Sequence, residues 1–334
     1  MRVLVTGGTG FLGAHLAHAL ARAGHEVRTL DIHPPQVPGA HEFVSADVRD
    51  APAVRSAVRG CDAVVDNAAL VPVTRASEAE YRSVNLDGCR NTLDAAAAEG
   101  AYVLHISSSA IYGVPVELPV RTSTALAPFE PYGRSKADAE RLVAERRAGG
   151  LTVGSLRPRT LLGEGRLGLF DVIFARVRAG KRVPLFGAGH NRVQMCDVED
   201  FCAASLAAID RRANGDYNIG SAGFGTVRED LEGLIARVRS RSRLQPLPVW
   251  AIRSVLQPLD AVGRSPFNEW HWRSAPEPFY FDISKAQDEL GWRPARTNVD
   301  ALENAYGYYV RRADTGASAH RRPLAGLLAR LLRG

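Results

Sequence analysis

The chain is 334 residues long, 46% hydrophobic and 23% charged, with a formal net charge of +6. That length accommodates a large buried core in about two domains or one elaborated domain, and the composition is that of a soluble globular protein. No run approaches the roughly 20 apolar residues that a membrane span needs. The first residues run straight into a glycine-rich turn, without the basic start and longer apolar stretch of a signal peptide. The four cysteines, Cys61, Cys89, Cys196 and Cys202, have no C-x-x-C or metal-ligand spacing. Reduced structural thiols, no metal site and a cytoplasmic location are therefore expected.

The positive charge is unevenly placed. Residues 311–334 hold six arginines and one acid, Asp314, so this tail carries +5 of the total and leaves the rest close to neutral. A basic nucleic-acid-binding face is not implied, and no nucleic-acid partner is expected. After Pro323, Leu324, Leu327, Leu328, Leu331 and Leu332 have helical spacing. Docking of this helix on its own domain is the expectation, with association to a membrane surface as the alternative.

In chain order, residues 3–6 read as a buried strand, 13–23 as an amphipathic helix, and 27–30 and 63–66 as further strands. Residues 78–98 read as one long helix, 103–107 as a strand and 132–147 as a helix; 152–156 read as a strand that Pro158 ends. This alternation predicts an α/β protein built on a doubly wound parallel sheet. Beyond about residue 160 the alternation loosens, with helical patterns at 167–179, 198–211 and 227–239. Residues 245–278 are rich in Pro and Trp and read as an irregular cap. The expected division is a dinucleotide-binding domain over 1–160, its sheet completed by parts of 187–220. A smaller C-terminal substrate-binding cap occupies mainly 161–312, with a basic amphipathic tail over 313–334. Such a cap would cover the carboxyl ends of the strands, where doubly wound sheets place their ligands.

Thr6-Gly7-Gly8-Thr9-Gly10-Phe11-Leu12-Gly13 follows the first strand and opens the first helix. Gly7, Gly10 and Gly13 permit a tight turn, close approach of backbone to a pyrophosphate, and close packing of helix on strand. The helix start at Phe11 and Leu12 offers free N–H groups and a partial positive charge to phosphates. Asp31 ends the second strand, 18 residues after Gly13, where a carboxylate accepts bonds from the adenosine ribose. The same carboxylate repels a 2′-phosphate, and Ile32, His33, Pro34 and Pro35 supply no cation to welcome one, so NAD is expected over NADP.

Tyr132-Gly133-Arg134-Ser135-Lys136 opens a helix, and its phenol and ammonium, four residues apart, project from one face. A free tyrosine has a pKa of about 10 and is a poor base; a neighbouring ammonium stabilises the phenolate. Ser107, Ser108 and Ser109 follow a strand some two dozen residues earlier and place hydroxyls at its carboxyl end, where one can bond a substrate oxygen. His15 and His18 have no acidic partner pattern and read as packing or surface residues. Trp270-His271-Trp272 reads either as pocket lining or as cap core.

Taken together, TGGTGFLG, Asp31, DVRD at 47–50, DNAA at 66–69, SSSAIYG and YGRSK resemble the extended short-chain dehydrogenase/reductase family, in its NAD-dependent epimerase/dehydratase branch. LRPRTLLGEG at 156–165, GAGHNRVQMCDVED at 187–200 and DISKAQDELGWRP at 282–294 resemble the same branch, so the likeness covers roughly residues 1–310. It implies a Rossmann fold, with Ser108 as catalytic hydroxyl, Tyr132 as acid/base and Lys136 as its ribose-binding partner. It also implies that Asp47 and Val48 flank the adenine, that Ala68 and Ala69 pass beneath the cofactor beside Pro158, and that Asn85 supports the active-site helix. A homodimer through the 78–98 and 132–147 helices is implied on the same ground.

The shared step of the branch is oxidation of a secondary alcohol, Tyr132 taking the hydroxyl proton while hydride moves to NAD. Dehydratases and decarboxylases of the branch carry an acid directly after the catalytic hydroxyl, whereas this chain has Ser109 and Ala110. The resemblance therefore implies epimerisation of a nucleotide sugar through a transient keto intermediate. One departure leaves the substrate open: Val193 stands where nucleotide-sugar members usually place a diphosphate-gripping arginine. Arg192 or Arg159 would have to replace it, with Ser109 as a further substrate contact. The alternative is an NAD-dependent alcohol dehydrogenase or ketoreductase of the hydroxysteroid-dehydrogenase type acting on an apolar substrate, which LRPR and the Trp/Pro-rich segment also resemble.

Overall fold

The computed structural model describes residues 1–35, 41–72, 74, 76–165, 167, 170–250, 254 and 273–315. In chain order it begins β1 (Arg2–Thr6), α1 (Phe11–Arg22), β2 (Glu26–Asp31), β3 (Glu42–Ser45), α2 (Ala51–Val58) and β4 (Ala63–Asp66). There follow α3 (Glu78–Arg82), a π-helical turn (Ser83–Asp87), α4 (Gly88–Glu99), β5 (Tyr102–Ile106), a 3-10 turn (Ser109–Tyr112), α5 (Pro131–Ala148) and β6 (Val153–Pro158). The remainder comprises β7 (Thr160–Leu162), α6 (Phe170–Arg178), β8 (Val183–Phe186), β9 (Met195–Asp197), α7 (Val198–Asp210), β10 (Gly215–Ile219), α8 (Val227–Arg237) and β11 (Leu244–Leu247), then α9 (Ser284–Leu290) and α10 (Asn298–Asp314).

Seven strands form one parallel sheet in the order β10-β6-β5-β4-β1-β2-β3. The chain builds outward from β1 to β3, then crosses back to add β4, so the order reverses between β1 and β4. That reversal opens a crevice at the carboxyl ends of the two strands. β4 and β5 are buried along their whole length, as strands covered by helices on both faces must be. Leu4, Val64, Val103 and Val153 of the sheet join Leu86 and Leu93 of the α4 side and Leu142 and Val143 of α5 in one buried cluster.

The chain divides into two compact units. The first comprises Met1–Thr160, Val198–Gly220 and Phe281–Pro294; the second comprises Leu161–Asp197 and the described residues of Ser221–Tyr280 and Ala295–Gly334. Phe281–Pro294 joins the sheet unit rather than the cap because α9 packs on β10 and α7, with Trp292 Nε1 donating to Asp200 O at 3.0 Å. In the second unit, Phe174, Leu185, Leu231, Leu234 and Leu302 form a separate core.

Several elements differ from the sequence reading. The 78–98 helix widens into a π turn at 83–87, where Asn85 bonds elsewhere. Gly88, just beyond, lets the helix approach Val48, since a Cβ there would meet Val48 Cγ2 at 2.7 Å. The strand expected to end before Pro158 runs through it, Pro158 pairing with Ile219 and Arg159 N–H then donating to Ile219 O at 2.9 Å. A proline at the last strand position forfeits one N–H without breaking the ladder. Leu244–Leu247, which overlaps the start of the stretch read as an irregular cap over 245–278, is a strand paired with β8. Trp270-His271-Trp272 and the helix expected beyond Pro323 lie outside the described residues. All four cysteines are buried. Among the described residues no helix is long and apolar enough to cross a membrane.

Leu93 has no exposed surface and sits in the cluster between sheet and helices. Leu93→Ala is expected to cost about 2–5 kcal/mol by the lost contacts and the cavity left behind, read as a lowered denaturant midpoint with an unchanged slope.

Candidate active site

The crevice between β1 and β4 is held by a buried hydroxyl. Thr6 Oγ1 donates to Val65 O at 3.3 Å and accepts from the N–H groups of Asn67 and Ala68, each at 3.0 Å. Asn67 Nδ2 returns bonds to Thr6 O and Gly7 O at 3.1 and 3.3 Å. The glycine-rich turn and the DNAA turn are thereby fixed against each other. Packing is equally tight on the helix side, because a Cβ on Gly13 would stand 2.0 Å from Gly7 O. Gly8, outside the spacing that marked the motif, is also demanded: its Cβ would meet Thr29 Cβ at 2.6 Å.

The start of α1 has no side-chain cap and no acidic residue in its first turn. By contrast α2, α5, α8 and α10 are each capped by a side chain, from Asp50, Glu130, Thr226 and Thr297. Open N–H groups behind a glycine turn suit the pyrophosphate of a dinucleotide. Asp31 stands beside them, its two oxygens accepting from Thr9 N and His33 N at 3.1 Å each. These residues therefore fit NAD. Asp47 is salt-bridged to Arg49 at 2.5 Å, and those hydrogen bonds hold its carboxylate below the usual range. Val48 is buried in the core against Gly88, which leaves its backbone rather than its side chain for any contact with adenine. Phe11, Leu12, Ala68 and Ala69 are half-buried and Pro158 is buried.

Beyond β5, Ser108 is extended and caps the 3-10 turn, its Oγ accepting from Ala110 N at 3.2 Å. The first turn of α5 packs on this turn. Gly133 permits the approach, since a Cβ there would lie 2.8 Å from Ala110 O. Tyr132 and Lys136 are both buried in that first stretch of α5. Lys136 Nζ donates to Ile106 O at 2.7 Å. Two supports were not legible in the sequence. Glu130, also buried, accepts from Tyr132 N at 2.9 Å and Gly133 N at 2.6 Å and so fixes the backbone of the tyrosine. Tyr81 places its ring edge-on to that of Tyr132, centroids 6.1 Å apart. The pattern acid-Pro-Tyr at a helix start was the available signal for Glu130, but glutamate is an uncommon cap.

Asn85, named from the resemblance, does bridge to α5. Its Oδ1 accepts from Leu70 N at 2.8 Å, and its Nδ2 donates to Leu70 O at 3.1 Å and Ser135 Oγ at 3.0 Å. Ser135 Oγ in turn donates to Tyr132 O at 2.7 Å. Of the three substrate candidates, Arg159 and Ser109 meet, Nη1 donating to Oγ at 2.9 Å. Burial pulls the Arg159 guanidinium down to about 9, which leaves it charged at neutral pH. Arg192 belongs to the second unit and stacks over Phe224 and Tyr280 at 4.8 and 5.1 Å. Val193 uses its backbone there, accepting from Asn298 Nδ2 at 2.7 Å and bridging to Phe279.

Gly133→Ala is expected to cost roughly 1–3 kcal/mol through the clash with Ala110 O, while the NAD crevice between β1 and β4 is untouched. Denaturation and NAD titration of the variant check both halves; a variant as stable as the parent contradicts the packing argument.

The NAD dependent epimerase/dehydratase family matches residues 3–220. The uncharacterised protein y4nG of Sinorhizobium fredii is 36% identical over 98% of this chain and 85% of its own length. The dTDP-glucose 4,6-dehydratase of Streptomyces niveus is 30% identical over 92% of this chain and 93% of its own. The 3-beta-hydroxysteroid dehydrogenase of Mycolicibacterium neoaurum is 27% identical over 94% of this chain and 93% of its own. Among solved structures, a UDP-glucose-4-epimerase from Stenotrophomonas maltophila, with NAD and formylated UDP-arabinopyranose bound, superposes with a TM-score of 0.78 at 23% identity, covering 95% of this chain and 100% of that one. By the family match and the full-length likeness to y4nG, the chain belongs to the NAD dependent epimerase/dehydratase family, the extended short-chain dehydrogenase/reductase branch whose cofactor is NAD.

Proposed function

We propose that this chain is an epimerase of a nucleotide sugar that works through a transient keto intermediate. The observation that carries the reading is the site at the end of β5. Ser108, Tyr132 and Lys136 lie on two packed turns, and the positions after Ser108 are Ser109 and Ala110, with no carboxylate for elimination.

In this reading Tyr132 takes the proton of a sugar hydroxyl and later returns it to the keto oxygen. Ser108 Oγ accepts from Ala110 N, which leaves its own proton to donate to that same oxygen. Lys136, its ammonium anchored on Ile106 O, stabilises the phenolate and offers its remaining N–H groups to the cofactor ribose. Bound NAD supplies the hydride acceptor and donor. Glu130 and Ser135 hold the Tyr132 backbone so that the phenol keeps one position through both half-reactions. Epimerisation needs these groups and a flip of the keto intermediate, after which hydride returns to the opposite face of the carbonyl carbon and the proton returns to its oxygen. Arg159 with Ser109 would contact the sugar.

A second reading, an NAD-dependent alcohol dehydrogenase or ketoreductase for an apolar substrate, is favoured by Val193 itself. A valine there offers no cation to a diphosphate, and its backbone is committed to Asn298 and Phe279.

Incubation with excess NAD and a panel of UDP-, dTDP- and GDP-sugars separates the two. Epimerisation changes the isomer ratio with no net NADH; stoichiometric NADH overturns the epimerase reading in favour of the second. Tyr132→Phe is expected to keep NAD binding and lose at least about 100-fold in turnover. A fully active variant contradicts the role given to the phenol.

A further inference from the structure

Behind the active-site helix lies a buried ionisable cluster that the reaction as described does not use. Asp66 on β4, His105 on β5 and Ser155 on β6 are successive register partners across the sheet, so their side chains share a face. Asp66 Oδ2 and His105 Nδ1 are 2.7 Å apart, and both residues are buried. Cys89 of α4 approaches His105 Nδ1 at 3.8 Å. Lys136 and Glu140 of α5 complete the layer. Glu140 is matched by Arg157 in a pair at 2.8 Å and accepts from Ser155 Oγ at 3.0 Å. The carbonyl that anchors Lys136 belongs to Ile106, the residue directly after His105.

The hydrogen bonds fix the charge state. Nδ1 must donate to the carboxylate, and among the described residues His105 Nε2 is buried without a hydrogen-bond partner. An imidazolium would leave a charged N–H unsatisfied there, so the neutral ring with its proton on Nδ1 is the economical form. Asp66 then carries a full negative charge. Burial opposes that charge, and the His105 hydrogen bond and the Lys136 ammonium favour it. The Cys89 thiol is driven well up by burial.

We propose that Asp66, held by neutral His105, is a positioning residue that supplies the buried counter-charge for Lys136 and so sets the pH range over which Tyr132 exchanges its proton. Of the other groups around Lys136 and Tyr132, Glu140 is paired with Arg157, Tyr81 lies edge-on to the Tyr132 ring, and the buried Glu130 carboxylate holds the Tyr132 and Gly133 N–H groups. Asp66 adds a buried negative charge on the side of Lys136, and a buried negative charge raises the proton affinity of every group near it. The proposal rests on the part given above to Tyr132.

The test uses the NAD-bound protein without substrate, so its failure is read separately from failure of the nucleotide-sugar reading. Tyrosines labelled at ring Cζ are titrated by 13C NMR, the Tyr132 signal being assigned by its loss in Tyr132→Phe. Asp66→Asn is expected to move the Tyr132 midpoint about one pH unit lower. His105→Asn, which keeps a donor to the carboxylate and the carboxylate itself, is expected to leave it in place. An unmoved midpoint in Asp66→Asn, or an equal shift in both variants, overturns the proposal. Should Asp66→Asn not fold, 15N NMR of the parent protein decides. His105 protonated on Nδ1 alone at neutral pH supports the proposal, and an imidazolium or a proton on Nε2 overturns it.

Discussion

The site depends first on the buried hydroxyl of Thr6. It ends β1 at the one place where the strand order of the sheet reverses, and it ties that end to Val65, Asn67 and Ala68 at the end of β4. A parallel sheet leaves the N–H and C=O groups at its strand ends without ladder partners, and at a reversal the two departing chains turn away from each other. One threonine side chain, with the amide of Asn67 returning to Thr6 and Gly7, satisfies those groups and fixes the separation of the two turns. The glycine-rich turn and the DNAA turn are thus parts of one hydrogen-bonded unit. Gly13, unable to accept a Cβ within 2.0 Å of Gly7 O, brings the start of α1 to the same place.

The second constraint is the attachment of α5. Its first turn must reach the hydroxyl at the end of β5, and Gly133 allows the backbone of one turn to lie against the other. Asn85, sitting in the π turn, reaches from Leu70 to Ser135 and so couples the loop after β4 to α5. A π turn leaves one residue out of helical register, frequently at functional positions, and here that freedom points the Asn85 amide away from its own helix. Buried charges beneath α5 are organised with equal care. Arg157 is shared among Glu140, Asp216 and the Tyr112 hydroxyl, and burying a cation is tolerable only when it is matched in this way.

The strands β1, β2, β4 and β5 and the helices α1 and α5 were legible because their apolar runs and glycine positions are local properties of the chain. The NAD motif, Asp31 and the Tyr132–Lys136 pair were legible for the same reason, since spacing on one helix or one turn fixes their geometry. What escaped is what depends on neighbours in space. β3 and α2 are short and weakly patterned, and α10 has aromatic residues, Tyr306, Tyr308 and Tyr309, whose apolar role shows only against α6 and its Phe174. The partnership of Asp66 with His105 is written in strand register, 39 residues apart, and no window of sequence contains it. Glu130 was hidden differently: it does the work of a cap with a residue type that seldom does so. At Val193, read from the sequence as a departure, the backbone bonds to Asn298 and Phe279.

The central claim is that the carbon-bound hydrogen leaves as hydride, is held by NAD and returns to the same carbon, while only the hydroxyl proton passes through Tyr132. Epimerisation of the accepted nucleotide sugar in deuterium oxide tests this directly. The account predicts product carrying its original carbon-bound hydrogen, with no deuterium at the inverted centre by mass spectrometry or NMR. Deuterium entering that centre in step with turnover would mean removal of the hydrogen as a proton, and would contradict it.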